Sequence, residues 1–247
     1  MAAVSEAADS PAADSEAVAD MHGDVLGLLL SFILILFCIG LSFLVVKYGR
    51  RLFGVSCSEV ARKVVHIGVS NWFFIYCYVF ETDLWPILGL AFFTLANALM
   101  NVTGMLSVLM GQDSKARNWG LVQYPVSIII VILLKHFGLG DMAAVGCAVL
   151  AMGYGDGLAS IVGKAVKSKR LGSWTKKTYA GSITMVGITM IVVILMKVFV
   201  GGVSFTGTLV LKAALVAIFA ALVEAFTLFG LDNISVPIAI FLVMRFV

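Results

Sequence analysis

Apolar residues run along this chain in long uninterrupted blocks. They cover Val25 to Val46, Val64 to Phe80, Leu84 to about Leu106, Leu121 to Leu134, Met142 to Val162, Ser182 to Val200 and Leu209 to Leu228, with a shorter Ile234 to Met244 at the end. Crossing the hydrocarbon core as a helix takes about 20 apolar residues, so seven blocks predict transmembrane helices and the eighth is marginal on length. The period-two alternation of barrel strands is absent, which favours helices over a β-barrel. The expected fold is all-α: a polytopic integral membrane helical bundle with seven to eight transmembrane helices.

Composition strengthens this reading. Hydrophobic residues make up 61% of the 247 and charged ones 13%, and the mean hydropathy of +1.07 lies far from that of soluble domains. Six of the fourteen acids (Glu6, Asp9, Asp14, Glu16, Asp20, Asp24) fall in the first 24 residues, which hold no Lys or Arg. Residues 1–24 therefore read as a disordered acidic tail without the basic start of a signal peptide, and 25–247 as a single transmembrane domain. Cys38, Cys57, Cys77 and Cys147 have no CxxC or His-paired spacing and read as packing residues.

Thirteen of the seventeen basic residues fall in three loops. These carry Lys47, Arg50, Arg51, Arg62 and Lys63 after the first block, Lys115 and Arg117 after the third, and Lys164, Lys167, Lys169, Arg170, Lys176 and Lys177 after the fifth. Cytoplasmic loops carry the Lys and Arg excess, so the N-terminus is expected outside and these loops in the cytoplasm. The Asp232-Asn233 turn falls on that same side. No internal repeat is visible, which weakens a transporter reading, since many carriers are built from duplicated halves.

Four clusters on this side could carry chemistry. Glu59, Arg62, Lys63 and His66 stand at i, i+3, i+4 and i+7 and form one helical stripe. Arg62 and Lys63 alone also fit a positive-inside anchor, but His66 lies inside an apolar block, where an ionisable group is a functional candidate. Arg117, Asn118, Gln123 and Tyr124 lead into the fourth block and could line a polar mouth or merely anchor the interface. Asp156 lies between Gly155 and Gly157; a carboxylate there must be neutralised, paired or bound to a cation, and the glycines either admit phosphates or pack neighbours. Lys176, Lys177, Gly181 and Ser182 follow where a helix begins, a site that attracts anions. Glu224, Asp232 and Asn233 supply oxygen ligands suited to Mg²⁺, although Asp232 and Asn233 also suit a helix cap. No P-loop, complete Rossmann fingerprint, Ser-His-Asp or HExxH pattern is present.

The segments ARKVVHIG (Ala61 to Gly68), GDGLASIVGK (Gly155 to Lys164), KKTYAGS (Lys176 to Ser182) and ALVEAFTLFGLDNISVP (Ala221 to Pro237) together resemble the CTP-dependent polyprenol kinases, above all their phytol kinase branch. The match runs from about Glu59 to the C-terminus. Where dolichol kinases usually carry an acid before the Gly of the Lys-Thr segment, this chain has Ala180, which is similar to phytol kinases. The basic, glycine-rich C-terminal pattern of phosphatidate cytidylyltransferases is missing.

The resemblance implies CTP-dependent phosphorylation of a membrane isoprenoid alcohol of the phytol, farnesol or polyprenol type, with Mg²⁺ or another divalent cation. It implies catalytic roles for Asp156, His66 and Glu59, and nucleotide binding by Arg62, Lys63, Lys176, Lys177, Gly181 and Ser182, to which the reading of the residues themselves adds Gly155, Gly157 and Asn118. Asp156, Asp232 and Asn233 would hold the metal. Expected partners are the lipid alcohol, a nucleoside triphosphate and membrane lipids, with no nucleic acid; a homo-oligomer stays open. The alternatives are a diacylglycerol kinase, a cytidylyltransferase-like lipid enzyme and a lipid transporter.

Overall fold

A computed structural model describes residues 11–53, 58–105, 119–227 and 230–247, with side chains over 21–48, 60–105, 119–227 and 230–247. The helices are α1 (Pro11–Phe53), α2 (Ser58–Ser70), α3 (Trp72–Tyr78), α4 (Leu84–Val102), α5 (Gly120–His136), α6 (Met142–Leu150), α7 (Gly157–Ala165), α8 (Tyr179–Phe199), α9 (Gly207–Phe226) and α10 (Asp232–Val243). The described residues form no strand, only an isolated antiparallel bridge between Arg170 and Thr178. The chain is the polytopic helical membrane protein that its apolar blocks predict.

Among the described residues, five helical stretches are long and apolar enough to cross a membrane: Met21–Tyr48, Leu84–Val102, Met142–Ala165, Tyr179–Phe199 and Gly207–Phe226. The apolar helix Gly120–His136 is shorter. The block from Val64 to Phe80, read as one span, is instead two helices broken at Asn71. The break has a local cause. Ser70 Oγ donates to the Ile67 carbonyl (2.7 Å), and Asn71 Nδ2 donates to those of Ile67 (2.9 Å) and Gly68 (3.2 Å), offering the backbone an alternative to its helical ladder.

Met142–Ala165 forms the axis of the bundle: 72% of its apolar window is buried, against 17% for those of α1 and α4. Its run of Ala and Gly explains this position, because small side chains let helices approach where lipid supplies no hydrophobic drive for association. A Cβ on Gly146 would come within 2.6 Å of Phe73 and 2.7 Å of Met196 Sδ, and one on Gly153 within 2.2 Å of Ser70 Cβ. Between α6 and α7 the axis winds as a π-helical turn, Ala151–Asp156. Such bulges recur at functional sites because they re-aim the side chains that follow.

Polar contacts also tie together the end of the bundle where α4 begins and α5 ends. Asp83 accepts from Tyr76 Oη (2.5 Å) and Lys135 Nζ (2.8 Å) and lies 3.1 Å from His136 Nδ1. Helix α1 begins at Pro11, inside the stretch expected to be a disordered tail. At the end of that stretch Asp24 is buried, accepting from the Glu81 and Thr82 amides and from Thr82 Oγ1. A carboxylate with three donors is a structural staple, which the tail's composition does not reveal.

Two outcomes follow from these contacts. Gly153→Ala should lower the thermal midpoint of the solubilised protein by an overpacking cost of about 1–3 kcal/mol, and adding Ser70→Gly should restore most of it. Burial alone would raise the Asp83 pKa, but its hydrogen bonds from Lys135, Tyr76 and His136 prevail and hold it below 3.8. Its contribution is therefore full above that value and lost as pH falls through the lowered one. The melting temperature of Asp83→Asn should decline less steeply in this acid range than that of the unmodified chain.

Candidate active site

The opposite end of the bundle gathers three acids around one lysine. Lys177 Nζ donates to Glu224 Oε1 (2.5 Å), Asp232 Oδ2 (2.8 Å) and Asp156 Oδ1 (3.3 Å). Lys63 donates to the other Asp156 oxygen. These groups come from four places in the chain: Lys63 from α2, Asp156 from the π turn, Glu224 from the end of α9 and Asp232 from the start of α10. Lys177 lies in the loop before α8, whose Thr178 caps the helix by accepting from the Gly181 amide (3.2 Å).

That loop is folded back on itself, which holds Lys177 in place. The Leu171 amide donates to the Lys177 carbonyl (3.0 Å), the Tyr179 amide to the Lys169 carbonyl (3.0 Å), and the Ala180 amide to Ser168 Oγ (3.0 Å). Burial alone would weaken the Lys177 charge, but Asp156, Glu224 and Asp232 outweigh it and raise its pKa above the ordinary lysine value. The ammonium stays charged throughout the physiological range.

The cluster is suited to a cation. One oxygen from each of Asp156, Glu224 and Asp232 lies within 4.8 Å of the others, and the first two residues are buried. Counted as ions, these five groups carry three negative charges and two positive. Hard oxygen donors with a surplus negative charge fit Mg²⁺, which takes one or two carboxylates together with phosphate oxygens. Asp156, Glu224 and Asp232 are the residues that would hold it.

His66 stands one turn beyond Lys63 on α2 and feels the charges of Asp156 and Lys63. Its ring packs on that of Tyr124 with centroids 4.3 Å apart, and Tyr124 is itself fixed by donating to the Val149 carbonyl (2.8 Å). The His66 Nε2 atom is buried without a hydrogen-bond partner among the described residues. Ser182 Oγ is in the same condition.

The other candidates take varied positions. Arg62 is half-buried and Lys176 exposed beside the cluster. The three glycines lie at helix contacts: an added Cβ would come 2.5 Å from Met185 Sδ at Gly155, 2.5 Å from Ile67 at Gly157 and 3.0 Å from the Ala159 carbonyl at Gly181. The Asn233 amide lies against Gly120 at the start of α5. The Glu59 side chain and the whole of Asn118 and Arg117 lie outside the described residues. Glu224 is absent from the site set carried over by resemblance, yet it sits at the centre; its signal is a lone acid in an apolar block.

Fold and cluster together define a polytopic membrane protein with an acid–lysine cluster at one end of its bundle. No family model matches the chain, and no solved structure matches it either. The sequence is 31% identical over 187 residues to a phytol kinase of Synechocystis sp., covering 74% of this chain and 77% of that protein. It is 32% identical over 130 residues to a probable chloroplastic phytol kinase 2 of Glycine max and to a probable chloroplastic phytol kinase of Zea mays, of which it spans 44% and 43%. The chain belongs to the phytol kinase family.

Removing the central ammonium should expose how costly the cluster is. Lys177→Met leaves buried carboxylates short of a partner, and its 28% exposure places the expected loss near the low end of roughly 3–5 kcal/mol. Denaturant titration of the detergent-solubilised protein measures it, and no loss of stability would contradict the charge accounting.

Proposed function

We propose that this chain is a kinase that transfers the γ-phosphoryl group of a nucleoside triphosphate, CTP, to the hydroxyl of a membrane isoprenoid alcohol of the phytol, farnesol or polyprenol type. The observation that carries this reading is the convergence of Asp156, Glu224 and Asp232 on Lys177, at the end of the bundle where Lys164, Lys167, Lys169, Arg170 and Lys176 are exposed. The names borne by the relatives agree with it. By the distribution of basic loops this end faces the cytoplasm, where CTP is at hand.

Phosphoryl transfer asks mainly for alignment and for neutralisation of charge on the transferred group. Lys177, Lys176, Lys63 and Arg62 hold the triphosphate, while Gly155, Gly157 and Gly181 let the helices behind them close up on Met185, Ile67 and the Ala159 carbonyl. Asp156, Glu224 and Asp232, with Asn233 next to them, would hold a divalent cation, which would supply charge neutralisation to the phosphates. The alcohol oxygen forms a bond to the γ-phosphorus as the bond from that phosphorus to the bridging oxygen breaks, releasing the nucleoside diphosphate. The hydroxyl proton passes to a carboxylate of the cluster, with Asp156 in the central role and His66 and Glu59 orienting the hydroxyl.

Purified protein given CTP, Mg²⁺ and a panel of lipid alcohols tests this directly. Nucleoside diphosphate should accumulate in step with prenyl monophosphate. Pyrophosphate would instead mark a cytidylyltransferase, diphosphate formed only with diacylglycerol a diacylglycerol kinase, and substrate movement without nucleotide consumption a transporter. Asp156→Asn should lower kcat by about 10²-fold or more, the scale for losing a group that stabilises transition-state charge. Normal turnover by a folded Asp156→Asn protein would overturn the assignment.

A further inference from the structure

An apolar cavity of about 440 Å³ lies between α1, α2, α4 and α5, within the roughly 300–1,000 Å³ typical of ligand pockets. Along α4 its lining runs from Pro86 to Met100, and along α1 from Leu28 to Phe43. At a rise of about 1.5 Å per residue either wall is about 20 Å long, some two thirds of the roughly 30 Å hydrocarbon core. The cavity is a slot parallel to the helices.

Its polar lining is already engaged, with one exception. Ser31 Oγ donates to the Gly27 carbonyl (2.6 Å) and accepts from Trp72 Nε1 (2.8 Å), Asn97 Nδ2 donates to the Leu121 carbonyl (3.1 Å), and Tyr124 Oη is held by Val149. His66 Nε2 is the buried polar atom of the described lining that lacks a partner. The residue is only 6% exposed and stands one turn from Lys63, which binds Asp156. The slot thus presents one unmet hydrogen-bonding atom, one helical turn from the lysine that binds Asp156, among lining side chains that are apolar or already hydrogen-bonded.

We infer that this slot holds the hydrocarbon tail of the acceptor alcohol, with the hydroxyl delivered to His66. The inference rests on the kinase reading for the identity of the alcohol, and on the cavity's geometry for its place. A polar group at one end and a long apolar wall match an alcohol with a single headgroup oxygen. Only 17% of the apolar windows of α1 and α4 is buried within the bundle, which places both walls at its periphery, where a tail can enter sideways from the bilayer. Because lipid tails are as apolar as the slot, burial favours no hydrocarbon over another, and selection must come from shape. Gly89 and Gly40 set that shape: a Cβ on Gly89 meets only Leu28 Cδ2 at 3.2 Å, and one on Gly40 meets nothing within 4 Å.

The test uses the full chain in phosphatidylcholine nanodiscs with a diazirine-bearing isoprenoid alcohol, labelled positions being mapped by mass spectrometry. Label should concentrate on residues 28–43 and 86–100, and excess phytol should suppress it. Suppression by added phosphatidylcholine to the same degree would mean that a membrane lipid owns the slot. Label spread evenly over α8 and α9, or crosslinks joining two chains through α1 and α4, would equally overturn the inference. Labelling needs no turnover, so it stands or falls apart from the kinase reading, which fails if the unmodified chain phosphorylates no alcohol. In activity, Gly89→Trp should lower the preference for phytol over geraniol by about tenfold or more, the scale of a misfit in an apolar pocket. Gly40→Trp provides the same measurement should Gly89→Trp fail to fold. Equal losses for both alcohols in a folded variant would refute the assignment.

Discussion

Three carboxylates sharing one ammonium inside a membrane protein is the arrangement on which the rest of the structure depends. Each buried ion costs several kcal/mol to desolvate, and only close partners repay it. Lys177 meets Asp156, Glu224 and Asp232 at once, and Lys63 takes the remaining Asp156 oxygen. Four helical elements and a folded loop must therefore end at the same place. The π turn aims Asp156, the loop pinned by Thr178 and Ser168 sets Lys177, and Glu224 at the end of α9 and Asp232 at the start of α10 meet on that lysine.

Close packing behind this cluster makes it attainable. In lipid, helices gain little by hiding apolar surface from one another, so their association relies on contact and on internal polar bonds. The axis Met142–Ala165 supplies contact through its small residues, at Gly146 against Phe73 and at Gly153 against Ser70. Polar bonds at the far end, centred on Asp83 and Asp24, hold α1, α3, α4 and α5 in register. The bundle is thus tied by charge at both ends and packed tightly between, while α1 and α4 lie at its periphery and leave a slot beside His66.

Much of this was legible from the chain alone. The apolar blocks give the helices, and the loops rich in Lys and Arg mark the end where Asp156, Lys177 and Asp232 meet. Asp156 and His66 stand out because ionisable groups are costly inside apolar blocks. The break at Asn71 was hidden, because hydropathy does not register a Ser-Asn pair that bonds back to Ile67 and Gly68. The acidic tail looked uniform, although Asp24 binds the backbone 57 residues away. The glycines flanking Asp156 read equally as a phosphate cradle or as packing positions, and their contacts with Met185 and Ile67 come only from the neighbouring helices.

Fold class was thus settled by a local property, hydropathy summed over a helix, and the candidate groups were marked by another, the cost of a charge within it. Which acids share a cation was settled only by the packing, since Glu224 lies 47 residues from Lys177 and joins it through the crossing of α8 and α9. The slot beside His66 is likewise invisible in one dimension, because its walls are the same Leu, Ile and Phe that face lipid elsewhere. Shape between helices depends on how closely they approach, and that is decided by contacts distant in the chain.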